Sequence, residues 1–316
     1  MLTRIAIDAV AAVTRGELFA LYQGDWRDIL SDLPDGSVSL IVSSPPYFLG
    51  KEYDRSNQHE DFFREHIELA PLLSRILRPG GSLCWQTGMH VSDATVVPLD
   101  FLAYSVFSRD SSLLLRNRII WHFEHGVHAK KRFSGRHETI LWFTKGENYT
   151  FNLDSVRVPQ KYPGKRHYKG PKKGRLSGNP AGKNPGDMWS IPNVKARHKE
   201  KMEHPCQFPV GLPQRLVRAL TNPGELVLDP FAGVASTGIA AGLEGRRFLG
   251  CEIEAKYAKL ASQRYNSLLS GTLQVRDWKR PVDMPNPRHA VARAPTHFLR
   301  QENGTSTSLS ERAEAG

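Results

Sequence analysis

Short, largely apolar runs alternate along this chain with segments of helical periodicity. Residues 38–42 (VSLIV) are typical of a strand that is covered on both faces. Residues 62–77 place apolar side chains at helical spacing until Pro79-Gly80, and the same alternation returns in residues 210–265. Strands that alternate with helices predict an α/β fold with an open, doubly wound and largely parallel sheet.

Two further segments, residues 117–123 and 138–144, have the composition of strands but no helical segment between them. They predict an antiparallel pair at an edge of the sheet. In doubly wound sheets, ligands bind beyond the carboxyl ends of the parallel strands. The residues that follow each predicted strand are therefore the candidates for a functional site.

The basic charge of the chain is concentrated in one segment. The 316 residues have a net charge of +11, and residues 157–201 contain thirteen Lys or Arg against only Asp187 and Glu200. Periodicity fails there, and Tyr and Trp are interleaved with the charge, so a loop-built insert that contacts nucleic acid is favoured over a solvated linker. Its binding should depend steeply on salt. The basic residues predicted to make contact are Lys161, Lys165, Arg166, Lys169, Lys172, Lys173, Arg175 and Lys183.

Composition excludes several other classes of protein. The three cysteines, Cys84, Cys206 and Cys251, lie far apart without a CxxC pair, which argues against a disulfide scaffold and a Cys-based zinc site. Charged residues within the first twenty positions argue against a signal peptide, and no apolar run has membrane-spanning length. We expect a cytoplasmic protein without a metal centre or a membrane partner.

Ser44-Pro45-Pro46-Tyr47 follows the strand at residues 38–42 directly. The two prolines fix two φ angles, so the simplest interpretation is a rigid turn at the end of a strand. A functional interpretation is more specific. A stiff, extended loop can direct the Ser hydroxyl and main-chain carbonyls at both hydrogens of an exocyclic amino group, while the Tyr ring stacks on the base that carries it.

A second motif, Asp229-Pro-Phe231-Ala-Gly233, joins the predicted strand at residues 226–228 to a helix. The helix N-terminus offers backbone N–H groups to a carboxylate or a phosphate. Glu252 ends the next predicted strand, where a carboxylate can accept hydrogen bonds from both ribose hydroxyls of a nucleoside cofactor. Taken alone, this unit could also serve NAD or be only a tight turn.

Together the motifs resemble those of the amino-group DNA methyltransferases that use S-adenosyl-L-methionine (SAM), in the permuted order of the β class. Residues 44–47 resemble the catalytic motif, and residues 136–143 (RHETILWF) resemble a strand motif late in the catalytic half. Residues 204–209 (HPCQFP) resemble the segment that leads into the cofactor half, and Gly24-Asp25 the element that contacts the cofactor adenine. The resemblance runs from about residue 17 to 268 and implies a Rossmann-like methyltransferase fold.

This resemblance implies a division of the chain. Residues 17–147 would form the catalytic half, residues 148–200 the target-recognition insert and residues 201–270 the SAM-binding half, and residues 271–316, above all those beyond about 280, a disordered tail. One position departs from the family pattern, because Ala235 stands where a second Gly is common. We expect its methyl group to leave SAM binding intact.

The resemblance also implies roles for individual residues. The Ser44 hydroxyl and the Pro45 carbonyl would accept the N–H bonds of a flipped-out base that stacks on Tyr47, Pro46 completes the rigid loop, and the amino nitrogen attacks the SAM methyl group directly. No cysteine nucleophile is needed. The residues implied to hold the cofactor are Asp25, His204, Pro205, Asp229, Phe231, Gly233, Ser236, Thr237 and Glu252.

The target base follows from the first residue of the catalytic motif. Family members with Ser there more often methylate cytosine N4, and those with Asp more often adenine N6. Ser44 therefore predicts sequence-specific methylation of cytosine N4 in double-stranded DNA, with adenine N6 as the alternative. The expected context is a bacterial, archaeal or phage restriction–modification system, with a cognate endonuclease as a candidate partner and a monomer or homodimer as the active form.

Three other classes stay open from the sequence. A dinucleotide-dependent oxidoreductase would use Asp229 and Glu252, but leaves residues 44–47 and the basic insert unexplained. A DNA-binding module without activity would have Ala235 as its lesion. A methyltransferase of RNA or of protein glutamine is nearer, although the glutamine enzymes begin the Pro-Pro-Tyr motif with Asn where this chain has Ser44.

Overall fold

The fold was analysed in a computed structural model that describes residues 12–15, 18–48, 59–92, 95–126 and 128–280. Its strands are β1 (Ala12–Arg15), β2 (Phe19–Gln23), β3 (Val38–Ser43), β4 (Leu77–Thr87), β5 (Met89–Ser92), β6 (Thr95–Pro98), β7 (Leu113–His122), β8 (His137–Lys145), β9 (Met188–Ser190), β10 (Leu226–Asp229) and β11 (Arg247–Glu252). Its helices are α1 (Trp26–Asp32), α2 (His59–Ile76), α3 (Leu99–Phe107), α4 (Gly211–Leu220), α5 (Ser236–Leu243) and α6 (Ala255–Leu269).

A nine-stranded mixed sheet organises the described residues, in the order β1-β2-β11-β10-β3-β4-β8-β7-β9. The five strands from β2 to β4 in this order are parallel, and β8 runs antiparallel to both β4 and β7. The predicted α/β fold with an antiparallel pair is therefore confirmed. β5 and β6 form a separate antiparallel hairpin.

Helices cover both faces of the sheet, which explains why β3 has so few polar residues. All six residues of β3 are buried. Leu40 and Val42 pack in the core cluster that includes α4, α5 and α6, whereas Val38 and Ile41 pack in the cluster that includes α1, α2 and α3. A strand between two such layers must be apolar on both sides, as the pattern of residues 38–42 predicts.

The far edge of the sheet differs from the sequence prediction. β9, which belongs to the basic insert, pairs in parallel with β7, so the pair of β7 and β8 is not outermost. Trp189 is buried in the core, while Met188 and Ser190 on either side of it are exposed. Three residues are too few to give a periodic signal, and for this reason β9 was not predicted.

The rest of the insert is built mainly from loops and turns, with one short 3-10 helix at Leu153–Val156. Isolated bridges join Val158 to Lys183 and Arg166 to Leu176, so residues 158–183 fold back on themselves as an irregular hairpin. Every basic side chain predicted to contact nucleic acid is exposed on this segment.

Part of the predicted disordered tail is packed. In residues 271–280, Trp278 is buried in the core cluster, and the Arg276 N–H donates to Glu200 Oε1 at 2.9 Å. A single Trp among prolines and charges gives no apolar periodicity, which explains the difference. The remainder of that prediction, residues 281–316, lies outside the described residues. Within the described part of the chain, no helix has both the length and the hydropathy that a membrane span needs.

Candidate active site

A cleft of about 1040 Å³ lies at the carboxyl ends of four adjacent parallel strands. Residues after β2, β3 and β10 and at the end of β11 line it, together with residues 204–208. This is the position that the sheet topology favours for a ligand. Ten predicted site residues line the cleft, namely Asp25, Ser44, Pro45, Pro46, Tyr47, His204, Phe231, Gly233, Ser236 and Glu252.

The loop after β3 is conformationally restricted. Pro45 and Pro46 fix two φ angles, and Phe48 adopts a left-handed conformation with a φ of 52°. A left-handed non-glycine residue costs about 1–3 kcal/mol. The Phe48 side chain is buried in the core cluster of α1, α2 and α3, and this packing offsets the strain. The loop is thus held rigidly where it meets the cleft.

A chain of polar contacts runs from this loop into the sheet. Ser44 Oγ lies 3.3 Å from Tyr47 Oη, which lies 3.4 Å from Glu138 Oε2. Gln86 Nε2 donates to the same carboxylate oxygen. Burial raises the pKa of Glu138 to about 7, against the hydrogen bonds from Gln86 and Tyr47, which favour the ionised form. Glu138 belongs to the motif at residues 136–143, for which the sequence indicated no individual role.

Asp229 lies behind the cleft, and its predicted direct contact with the cofactor is therefore corrected. The residue is completely buried and does not line the cleft. Its Oδ1 accepts hydrogen bonds from Ser43 Oγ at 2.5 Å and from the Phe231 N–H at 3.1 Å. Burial raises the pKa of Asp229 to about 6 despite these bonds. Because β3 and β10 are neighbours, this carboxyl group joins the loops at their ends.

Glu252 fixes the turn after β10 from the adjacent strand. Its Oε2 accepts the Gly233 N–H at 2.7 Å, and its Oε1 accepts the Glu254 N–H at 2.8 Å. Burial is the main reason that the pKa of Glu252 is raised to about 7. Gly233 has a φ of 53°, and a Cβ there would lie 3.2 Å from His204 Nε2. Both the conformation and the close approach of His204 require glycine at this position.

Ala235 explains why a glycine is common at its position in the family pattern. Its φ is 55°, the left-handed region that costs an L-residue about 1–2 kcal/mol. The residue is fully buried and does not line the cleft. Its methyl group therefore takes no space from a ligand there.

Two other predicted cofactor residues also lie outside the cleft lining. Pro205 is exposed on the segment before α4. Thr237 is completely buried in the first turn of α5, where its hydroxyl faces the Val42 carbonyl at 3.4 Å. Ser236 does line the cleft, but its hydroxyl donates to the Phe208 carbonyl at 2.9 Å. The Ser-Thr pair predicted to bind a carboxylate is thus engaged within the protein, because α5 packs closely on β3.

Several residues of the cleft were missed by the sequence analysis. Trp26 lines it directly after Asp25 and packs edge-on against Phe231, with 6.5 Å between ring centroids. Ile253 follows Glu252 and is about half exposed. Both stand next to predicted residues at strand ends, a signal that could have found them. Glu65 lies on α2, and no sequence signal placed that helix at the cleft.

The cleft is acidic, in contrast to the basic insert. Asp25, Glu65 and Glu252 line it, and none of its described lining residues is Lys or Arg. Asp25 is paired with Arg27 at 3.1 Å, and Glu65 Oε1 lies 3.4 Å from Trp26 Nε1. Carboxylates beside aromatic rings favour an organic cation over a phosphate, since a buried negative charge requires a positive partner.

Known structures show the same fold. A structure titled PvuII DNA methyltransferase (cytosine-N4-specific) has a TM-score of 0.66 and 21% identity, and the match covers 86% of this chain and 99% of that chain. The protein TTHA0409 of Thermus thermophilus, described as a DNA modification methylase and solved with SAM, has a TM-score of 0.57 and 30% identity. That match covers 81% of this chain and 97% of the Thermus chain.

Sequence comparisons agree. The family described as DNA methylase (N6_N4_Mtase) matches residues 38–263. The Type II methyltransferase M.BglII of Bacillus subtilis is 46% identical over 252 residues, which cover 79% of this chain and 69% of the relative. The DNA adenine methyltransferase YhdJ of Escherichia coli (strain K12) is 34% identical over 255 residues, 78% of this chain and 83% of the relative. The chain therefore belongs to the N6/N4 DNA methylase family.

Proposed function

We propose that this protein is a SAM-dependent, sequence-specific DNA methyltransferase that methylates the exocyclic N4 of cytosine. The observation that supports it most is the junction of two structures in one cleft. The rigid loop at residues 44–47 forms one wall, and the acidic and aromatic strand ends around Glu252 form the other. An amino-group acceptor thus faces a site that suits a nucleoside cation.

SAM fits the cleft by charge. Its sulfonium and ammonium groups outweigh its one carboxylate, whereas the pyrophosphate of NAD would meet carboxylates and no cleft-lining Lys or Arg in the described part of the chain. The similarity to a Thermus protein solved with SAM agrees with this choice. The oxidoreductase alternative is therefore disfavoured.

We assign the cofactor roles by position at the strand ends. Glu252 would accept the ribose hydroxyls, Asp25 the adenine amino group, and Phe231 would lie beside the adenosine. Gly233 and His204 would lie at the methionine end. Asp229, Ser236 and Thr237 would act indirectly, because they hold the two loops in place. When bound, SAM supplies the electrophilic methyl group.

The catalytic loop would activate the target nitrogen. Its lone pair is conjugated with the base ring, and hydrogen bonds to the Ser44 hydroxyl and the Pro45 carbonyl would favour a pyramidal nitrogen with an available lone pair. The Tyr47 ring would stack on the flipped-out base, and Glu138 would orient Tyr47 through its hydroxyl. Catalysis would then consist of positioning and electrostatics.

The choice of base rests on Ser44, a neutral acceptor where adenine enzymes more often have Asp. Adenine N6 is the second candidate, and the similarity to the adenine methyltransferase of Escherichia coli favours it. The relatives named Type II methyltransferases support a role in a restriction–modification system, with double-stranded DNA as substrate and a cognate endonuclease as partner. We expect a monomer or a homodimer.

Methylation of unmodified genomic DNA with tritiated SAM, followed by digestion and mass spectrometry of the nucleosides, tests this proposal. N4-methylcytosine is the expected product. N6-methyladenine would overturn the assignment of the base but keep the site residues. No methylated nucleoside from DNA, with SAM bound, would overturn the proposed substrate and favour RNA, a protein or an inactive module.

The exposed cations of the insert should neutralise DNA phosphates. We expect Lys172→Gln with Lys173→Gln to reduce the slope of log Kobs against log salt by about 2, since each lost phosphate contact contributes roughly 0.9. Filter binding at several salt concentrations measures the slope. Lys259→Gln, an equal change of charge at an exposed position on α6, is the control and should leave it unchanged. An unchanged slope in the double variant would contradict the role of these two lysines.

SAM affinity should depend on pH through Glu252. Because the pKa of Glu252 is raised to about 7, its carboxyl group is mostly protonated in the free protein at lower pH. A cation and ribose hydroxyl donors favour the ionised form, so affinity should rise by roughly tenfold between pH 5.5 and 7. Calorimetric titration measures this. Glu252→Gln should bind more weakly with a smaller pH dependence, and an equal dependence in both proteins would exclude Glu252 as its source.

A further inference from the structure

The loop between β7 and β8, residues 123–136, has features that the proposed site does not use. Among the large apolar side chains of the described residues, Phe133 is the most exposed, at 99%. Lys130, Lys131 and Arg132 precede it directly and are also exposed. Single exposed apolar residues are common and need no explanation. A fully exposed ring that follows three consecutive cations is a different feature, and it suits a partner that is both anionic and aromatic.

The loop is close to the catalytic residues. β8 begins at His137, and the next residue, Glu138, lies 3.4 Å from the Tyr47 hydroxyl. Phe133 is five residues before Glu138, so the backbone between them spans at most about 17 Å. A Cβ on Gly88, which follows β4, would lie 3.0 Å from the Tyr47 ring, so the strand ends around this loop border the same wall of the cleft.

Internal hydrogen bonds shape the loop and leave Phe133 on its outside. The Phe123 N–H donates to the Arg136 carbonyl at 2.9 Å, which closes the base of the loop. The Ala129 N–H donates to Ser134 Oγ at 3.1 Å. The second bond spans residues 129–134, so the backbone of the segment that carries Phe133 is held from both sides while its ring stays exposed.

DNA offers the partner chemistry that this combination requires. A target base must leave the stack to reach the cleft, and the gap that it leaves exposes the faces of the neighbouring bases. Proteins that bend or open DNA often insert apolar side chains such as Phe or Leu between base steps. Cations beside such a side chain can contact the phosphates on either side.

We propose that Phe133 inserts into the duplex beside the target base and fills the gap left by the flipped base, while Lys130, Lys131 and Arg132 contact the adjacent phosphates. This inference rests on the DNA-methylating activity proposed above and adds a base-flipping residue to it. Tyr168, 82% exposed near the end of the hairpin in the insert, is the competing candidate for the same task.

The test compares Phe133→Ala with the unsubstituted protein on two duplexes. The recognition site is first identified by sequencing of methylated plasmid DNA. One duplex is then fully paired, and in the other the target base lies opposite an abasic position, where it flips at a lower cost. We expect Phe133→Ala to lower the single-turnover rate by roughly tenfold or more on the paired duplex, and to come within about threefold of the unsubstituted protein on the abasic duplex.

Three further variants make the result specific. Phe133→Leu should keep most of the activity, because Leu also serves as an apolar wedge. Phe101→Ala, which removes a 62% exposed ring from α3, should change neither rate. Tyr168→Ala should show no rescue by the abasic duplex. A 2-aminopurine at the target position reports flipping directly, and its fluorescence should rise less with Phe133→Ala than with the unsubstituted protein.

Four outcomes would overturn the inference. They are an undiminished rate of Phe133→Ala on the paired duplex, an equal loss on both duplexes, rescue of Tyr168→Ala in place of Phe133→Ala, and a changed oligomeric state, which would assign Phe133 to a contact between copies. Each requires an unsubstituted protein that methylates DNA. If the unsubstituted protein methylates neither duplex nor plasmid, the proposed function fails instead, so the two failures are distinguishable.

Discussion

Replacement of Asp229 with Ala is expected to abolish SAM binding and, with it, methylation. Asp229 is fully buried, and it accepts hydrogen bonds from the Ser43 hydroxyl and the Phe231 N–H. A buried donor left without an acceptor costs about 1–3 kcal/mol, so the loops after β3 and β10 should lose their relative position. We expect the Kd for SAM to rise at least about 100-fold, which corresponds to roughly 2.7 kcal/mol.

Equilibrium dialysis with tritiated SAM measures this loss, and thermal unfolding shows whether the variant is still folded. Asp229→Asn keeps an acceptor for both donors and should retain part of the binding. The matched control is Asp100→Ala on α3, which removes another buried carboxylate, one that is paired with Arg118 at 2.7 Å. It should reduce stability without a selective loss of SAM binding. Near-normal turnover of Asp229→Ala would contradict the role of Asp229.

Replacement of Tyr47 with Ala is expected to abolish turnover while SAM binding persists. Tyr47 lines the cleft next to Ser44, and no main-chain support depends on its ring. Stacking of one base on an aromatic side chain contributes about 1–3 kcal/mol, and misplacement of the amino group adds to this loss. We expect the single-turnover rate to fall by more than about 100-fold.

Tyr47→Phe separates the ring from the hydroxyl. It keeps the stacking surface and loses the contacts with Ser44 and Glu138, so its rate should fall by no more than about tenfold. Tyr104→Ala, on the exposed surface of α3, is the control and should leave the rate unchanged. Comparable rates for Tyr47→Ala and the unsubstituted protein would exclude a stacking role, and a lost affinity for SAM would show that the ring supports the cofactor instead.

Local patterns in the sequence were sufficient to predict the order of strands and helices along the chain. The apolar run of β3 reports burial on both faces, because a strand between two helical layers has no side exposed to water. The same patterns placed residues 44–47 and Glu252 at strand ends, and the parallel register brought those ends together. Stiff prolines, strand ends and acidic residues are properties of short segments, so they can be recognised without the fold.

Contacts between distant residues were decided only by the tertiary structure. Glu138 meets Tyr47 because β8 pairs with β4 beside β3, an order that no local pattern specifies. Asp229 turned out to lie behind the cleft, because its place beside Ser43 depends on the pairing of β10 with β3. The sequence by itself determined the fold class, the family motifs and the site of the charge. Burial, strand order and register, which depend on the packing of the whole chain, decided which of those residues face the cleft and which support it.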